Sequence, residues 1–168
     1  MTEKEKMIKG LLYQSFGPEL VNERLNVKNK TMRINHDWTL SHEERQQIIK
    51  RILGSHGENT YIEAPVYFDY GYNVHVGHNF YANFDCIFLD GTSITFGDNV
   101  MIGPRCSFFT AAHPIDKEIR NALYEFSKPI TVGSDVWIGG HSVINPGISI
   151  GDNVIIGSGS VVTKNIPS

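Results

Sequence analysis

Val132-Gly133-Ser134-Asp135-Val136-Trp137, Ile138-Gly139-Gly140-His141-Ser142-Val143, Ile144-Asn145-Pro146-Gly147-Ile148-Ser149, Ile150-Gly151-Asp152-Asn153-Val154-Ile155, Ile156-Gly157-Ser158-Gly159-Ser160-Val161 and Val162-Thr163-Lys164-Asn165-Ile166-Pro167 follow one another as six groups of six residues. An aliphatic residue opens every group, and the fifth place holds Val136, Ser142, Ile148, Val154, Ser160 and Ile166. An amphipathic helix would space its apolar residues three and four apart, and a half-buried strand would alternate strictly. Six groups in phase fit neither. The pattern predicts a coil of short strands and turns. Position one points inward, position two is Gly or polar at a bend, and position five is a second inward residue, small or aliphatic. A six-residue period is a signature of β-helix solenoids.

Working outward, the rhythm begins near Ile62. Groups opening at Val76, Ala82 and Phe88 share one register; two extra residues follow, and groups opening at Phe96, Ile102 and Phe108 continue in a second. Cys86 and Cys106 both occupy the inward fifth place, so they read as small core residues rather than as nucleophiles that carry an acyl group. At His113 the repeat stops, and it resumes at about Ile130. A long excursion gives up stacking between coils, and such loops usually serve a function. This one, a protruding loop at about 113–129, is rich in side chains that hydrogen-bond or transfer protons.

Residues 1–57 read as helical. Pro18 is a suitable first helical residue, with Leu20, Val21, Leu25 and Val27 as a loose apolar face. Ser41 and Glu44 form a capping box, and Ile48, Ile49, Ile52 and Leu53 follow before Gly54 stops the helix. The expected role is a cap over the open end of the solenoid, whose first segment either only covers the core or also touches substrate. The chain thus divides into a helical segment, 1–57, and a mainly β domain, 58–168.

At 168 residues with two cysteines, the chain has a one-domain length and no disulfide framework. No apolar run approaches the roughly 20 residues of a membrane span, and the start lacks a secretory signal; the expected compartment is the cytoplasm. Residues 1–57 carry ten Lys or Arg against seven Asp or Glu, whereas residues 58–168 carry five against eleven. So acidic a repeat region is a poor nucleic-acid surface.

His113 stands where the coil leaves its register. Imidazole suits a general base that removes a proton from a hydroxyl; the alternative is a surface histidine in a His-Pro turn. Asp69, flanked by Phe68, Tyr70 and Tyr72, and Asn83 with Asp85 offer the carboxylate, amide and aromatic groups that bind a sugar, or else they are turn-capping residues. A zinc site needs three imidazoles around one ion. No second histidine lies in the excursion, so no metal is expected.

The stretches Glu5–Tyr13, Asp69-Tyr70-Gly71-Tyr72-Asn73, Asn79–Cys86 with Leu89-Asp90, Thr110-Ala111-Ala112-His113-Pro114, Val136–Gly140, Ile144–Gly147 and Val162-Thr163-Lys164 carry a resemblance that covers the whole chain. The sequence resembles the maltose and galactoside O-acetyltransferases, the sugar acetyltransferases of the hexapeptide-repeat superfamily. The resemblance implies a left-handed parallel β-helix, a homotrimer with active sites between subunits, acetyl-coenzyme A as donor and a sugar hydroxyl as acceptor. It implies His113 as general base in a direct transfer without an acyl-enzyme. Asp69, Asn83 and Ser15 match acceptor-site positions. Asn83 together with Trp137, Gly140, Ser158, Thr163 and Lys164 matches positions along the coenzyme. Glu125 matches an acid of the maltose-type branch and is expected to orient His113 or to bind the acceptor. Backbone amides near Gly139 and Gly140 are expected to stabilise the oxyanion.

Three departures qualify the likeness. Gly91 and Ser15 stand where the galactoside branch has acids, which favours the maltose-type branch. Gly140 stands where that branch has a serine, leaving only a backbone N–H. Relatives also continue past the position of Pro167 with residues that meet the coenzyme, so the top coil is expected to be bare, and either that tail is missing from this sequence or coenzyme binding is weaker than the resemblance implies. The competing readings are a hexapeptide acetyltransferase with an antibiotic or amino-acid hydroxyl as acceptor, a zinc-dependent lyase on the same solenoid, and a non-catalytic scaffold.

Overall fold

A short helix α1 (Glu3–Ile8) leads to a two-residue strand β1 (Tyr13–Gln14), then to α2 (Pro18–His36) and α3 (His42–Ile52), in a computed structural model that describes residues 1–168. Pro18 does open α2, and the Ser41–Glu44 capping box does open α3. The buried face of α2 is Leu20, Val27, Thr31 and Ile34; Leu25, expected on that face, is 52% exposed. Leu25 lies one residue past Arg24, whose side chain points to Tyr70 and Ser15, and this sets which side of the helix faces inward.

The first coil is β2 (Ser55–His56), β3 (Tyr61–Ile62) and β4 (Val66–Phe68), so the solenoid begins one strand before the aliphatic rhythm becomes visible. The second coil is β5 (Val74–Val76), β6 (Tyr81–Ala82) and β7 (Cys86–Leu89), and the third is β8 (Ile94–Phe96), β9 (Met101–Ile102) and β10 (Ser107–Phe109). An excursion follows: β11 (Ala111–Ala112), a turn of helix α4 (Lys117–Asn121) and β12 (Tyr124–Ser127). The coil resumes with β13 (Ile130–Val132), β14 (Trp137–Ile138) and β15 (Val143–Ile144), and ends with β16 (Ser149–Ile150), β17 (Ile155–Ile156) and β18 (Val161–Val162).

With the hairpin strands β11 and β12 set aside, every third strand stacks in parallel on the one below, giving three five-stranded faces. The first face runs β2-β5-β8-β13-β16, the second β3-β6-β9-β14-β17, and the third β4-β7-β10-β15-β18. Position-one residues line up through the core: Val76, Phe96, Val132 and Ile150 on the first face, and Phe88, Phe108, Ile144 and Val162 on the third. Phe88 lies between Phe68 and Phe108, with ring centroids 5.2 and 5.3 Å away. Cys86 and Cys106 are fully buried, as their place in the hexad predicts.

Glycine at position two follows from close stacking. A Cβ on Gly77 would lie 2.5 Å from the Gly97 carbonyl oxygen, and one on Gly103 2.5 Å from the Gly140 nitrogen. The left-handed turn residue comes two places later, at Asn79, Asn99, Asp135 and Asn153, residue types that tolerate that conformation. Asn59, Asn79 and Asn99 each donate to the residue on the next coil at 2.9 Å, forming an amide ladder up the corner between the first and second faces.

The helical segment closes the lower end of the solenoid. Ile34, Ile49 and Ile52 join the core, and two amide side chains complete the lowest strands. Gln46 donates to the Ile62 carbonyl and accepts from its N–H, at 2.8 and 3.1 Å; Asn35 does the same for Val66 at 2.9 and 3.0 Å. Each amide thus pairs with an edge that would otherwise be open. Gln46→Leu should lower unfolding free energy by about 2 kcal/mol, because a buried N–H and C=O both lose their partner. A urea midpoint equal to that of the unsubstituted protein, at an unchanged m-value, would contradict this capping role.

Candidate active site

The excursion is an antiparallel hairpin rather than an irregular loop. Ala111 and Ala112 pair with Ser127 and Phe126, and the other edge of β12 pairs with β1, placing Tyr13 beside Glu125 and Gln14 beside Tyr124. The N-terminal arm is therefore a strand of the hairpin sheet. Gln14 adds a side-chain bond to the Ala122 carbonyl at 3.0 Å. A small second core of Met7, Tyr13, Leu20 and Tyr70 seats the arm against the solenoid.

His113 follows β11 directly. Its Nδ1 lies 3.4 Å from the Tyr124 carbonyl oxygen. A carbonyl can only accept, so this contact requires a proton on Nδ1 and leaves Nε2 as the basic nitrogen. Glu125 makes no hydrogen bond to His113. The contact to the ring comes instead from the main chain of the preceding residue, Tyr124. Glu125 stays on the cavity wall.

The cavity measures about 600 Å³ and brings together Ser15, Asp69, His113 and Glu125 from four separate parts of the chain. Its size suits a small-molecule site. Asp69 is half-buried, and burial pushes its carboxyl above the ordinary range, against the opposing pull of Arg24 and Lys28. Burial also pushes the Tyr13 phenol up to about 12. Beneath the cavity, Asp90 is fully buried and accepts from the backbone N–H groups of Asp69, Tyr70 and Asn73 at 3.1, 2.9 and 3.3 Å. It holds the turn from Asp69 to Asn73, the enlarged corner where the two extra residues of the early coils are accommodated.

Both thiols lie in the core. Burial pushes Cys86 up to about 12 and raises Cys106, and they lie against the carbonyls of Gly103 and Gly139. A buried thiol so protonated is a poor nucleophile. No group of three or more His, Cys, Asp or Glu side chains is placed to hold a metal ion, and no helix is long and apolar enough to cross a membrane.

The residues matched to the coenzyme lie elsewhere. Asn83, Trp137, Gly140 and Ser158 line one groove of about 360 Å³ at the corner between the second and third faces. Thr163 and Lys164 border a separate cleft of about 400 Å³ on the uppermost coil. The Gly139 amide is taken by the Ile156 carbonyl at 2.8 Å, which removes it as an oxyanion donor; the Gly140 N–H has no acceptor in the chain. His113 stands at the opposite corner, beyond the third face. That face is one hexad wide, roughly 20 Å at about 3.3 Å per residue. Within one protomer Asn83 and His113 therefore do not share a cavity.

Sequence reasoning missed Tyr13, Arg24, Lys28 and Arg120 in the His113 cavity. Arg24 and Lys28 carried a signal: cations four residues apart on a helix share a face, and here that face meets Tyr70 and Asp69.

Residues 6–57 match the maltose acetyltransferase hexapeptide capping motif, and residues 129–164 match the bacterial transferase hexapeptide of six repeats. A galactoside O-acetyltransferase of Escherichia coli (strain K12) is 44% identical over 99% of this chain and 82% of its own. The chain belongs to the maltose and galactoside O-acetyltransferase family. Among solved structures of this family, a maltose O-acetyltransferase from Clostridium difficile 630 is 50% identical with a TM-score of 0.97, covering 99% of this chain and 89% of the other. A galactoside acetyltransferase in complex with coenzyme A is 44% identical with a TM-score of 0.94, covering 99% and 84%. The fold is the left-handed parallel β-helix expected for the family, with few helices.

Proposed function

We propose that the protein transfers acetyl from acetyl-coenzyme A to a hydroxyl of a sugar-like acceptor, with His113 as general base. Carrying this reading is the His113 ring, fixed with Nε2 free at the edge of a polar cavity built by four chain segments. The acceptor hydroxyl gives its proton to Nε2 as its oxygen bonds to the thioester carbonyl carbon. The tetrahedral intermediate then collapses, the carbon–sulfur bond breaks, and the imidazolium returns the proton to the leaving thiolate. The products are an O-acetyl ester and free coenzyme A. The unpaired Gly140 N–H suits the oxyanion, a contribution that reaches about 3 kcal/mol in other enzymes.

The working unit of this reading is a homotrimer. The groove of Trp137 and the cavity of His113 occupy different corners, and a neighbouring protomer brings one to the other. Its support is an apolar stripe on the outside of the second face, where Tyr61, Tyr81, Met101, Trp137 and Ile155 stack in register. Met101, Trp137 and Ile155 are 54%, 51% and 70% exposed, and an apolar patch of this kind marks an interaction surface.

The test is release of free thiol from acetyl-coenzyme A in the presence of mono- and disaccharides, read with a thiol reagent. Acceptor-dependent release is expected, with O-acetyl product by mass spectrometry. Absence of release with every hydroxyl compound, from protein that binds coenzyme A, would favour the scaffold reading.

A further inference from the structure

The His113 cavity holds more positive charge than a neutral sugar can use. Arg24, Lys28 and Arg120 face it against Asp69 and Glu125. None of the three cations is within ion-pair distance of a carboxylate. Arg24 is engaged by neutral oxygens, donating to the Tyr70 hydroxyl at 2.6 Å and the Ser15 carbonyl at 2.7 Å. Arg120 ties the hairpin tip through one nitrogen, to the carbonyls of Pro114 and Ile115 at 2.9 and 2.8 Å. The Lys28 ammonium has no hydrogen-bond partner in the chain.

Lys28 and Arg120 also reach the cavity from different elements, the middle of α2 and the end of α4. Solvated surface cations have no reason to converge. Two that do so over a polar cavity form a field that concentrates anions and a set of donors that binds them more strongly than neutral groups. Asp69, Glu125 and Ser15 line the same cavity and are able to hydrogen-bond hydroxyls. The cavity thus offers both halves of a recognition pattern: hydroxyl partners near His113 and cations at its rim.

We propose that the acceptor is a hydroxylated compound bearing a carboxylate or phosphate, held by Lys28 and Arg120 while a hydroxyl faces His113. This rests on the acetyl-transfer reading of the same site. The test compares thiol release with glucose, glucose 1-phosphate, glucose 6-phosphate and glucuronate, at low and raised ionic strength, alongside calorimetric binding of the four compounds. At least one anionic compound should show kcat/KM tenfold or more above glucose, and the advantage should shrink with salt. Its phosphate or carboxylate identifies the source of the charge. Lys28→Glu changes an exposed side chain with no partner, and should lower the anionic-to-neutral ratio by at least fivefold.

Equal or better use of glucose than of all three anions, or a ratio unmoved by Lys28→Glu, overturns the inference and leaves acetyl transfer standing. Calorimetry separates the two readings if no compound is turned over. Preferential anion binding that Lys28→Glu removes would then support the acceptor class while the chemistry fails. Equal binding of glucose and the anions would overturn the inference as well.

Discussion

His113→Ala is expected to lower kcat for acetyl transfer by about 10²- to 10⁴-fold, the usual contribution of a positioned general base. The side chain is exposed, and its one hydrogen bond is the 3.4 Å contact with Tyr124, so the variant should fold and melt like the unsubstituted protein. Coenzyme binding should also persist, since the groove of Trp137 and Gly140 lies at another corner of the coil. Loss in kcat with an unchanged affinity for coenzyme A would mark a group that acts in the transition state. The competing view, a surface histidine in a His-Pro turn, predicts near-normal turnover, and that result would remove His113 from the mechanism. His113→Gln sharpens the comparison, because it can still reach the Tyr124 carbonyl yet cannot accept a proton at neutral pH.

How much of this was legible in the sequence follows from how far apart the interacting residues lie. The solenoid core was legible because each inward residue repeats a local rule: Val132, Ile138, Ile144, Ile150 and Ile156 announce their burial by period alone, and Cys86 and Cys106 by their place within it. The point where the hairpin leaves the coil was legible for the same reason, since a broken period is a local event. The strand character of β1 was not, because Tyr13-Gln14 has no pattern of its own and exists only by pairing with residues 124 and 125, more than a hundred positions later. That pairing converts the N-terminal arm from a cap into a cavity wall and carries Ser15 to Asp69. The likeness to known acetyltransferases named Ser15, Asp69 and Glu125 without explaining their meeting.

Asp90→Ala is expected to cost several kcal/mol, the largest stability loss of the substitutions considered. Its carboxyl accepts from three backbone N–H groups; the Asp69 N–H also reaches the Phe88 carbonyl at 3.2 Å, whereas those of Tyr70 and Asn73 would lose their acceptor, and each buried donor left without a partner costs about 1–3 kcal/mol. Opposing forces meet in this side chain. Burial, the larger, pushes its pKa from an ordinary 3.8 up to about 7, while the N–H groups favour the charged form and pull it down. The sign of the pH effect follows from proton binding: between these values the unfolded chain has released its proton and the folded chain still holds it, so stability falls as pH rises from about 4 to 7 and levels off above. Asp90→Asn keeps an oxygen for Asp69 and Tyr70 but cannot titrate, so urea midpoints at pH 4.5 and 7.5 should differ less for the variant than for the unsubstituted protein. An identical difference in both would assign the pH dependence to other groups. The same turn carries Asp69 and Tyr70 into the His113 cavity, whereas the groove of Trp137 and Gly140, the proposed coenzyme site, stands on other strands. Loosening the turn should therefore raise KM for the acceptor more than for acetyl-coenzyme A. Equal changes in both would mean that Asp90 supports the coil as a whole rather than the corner that shapes the site.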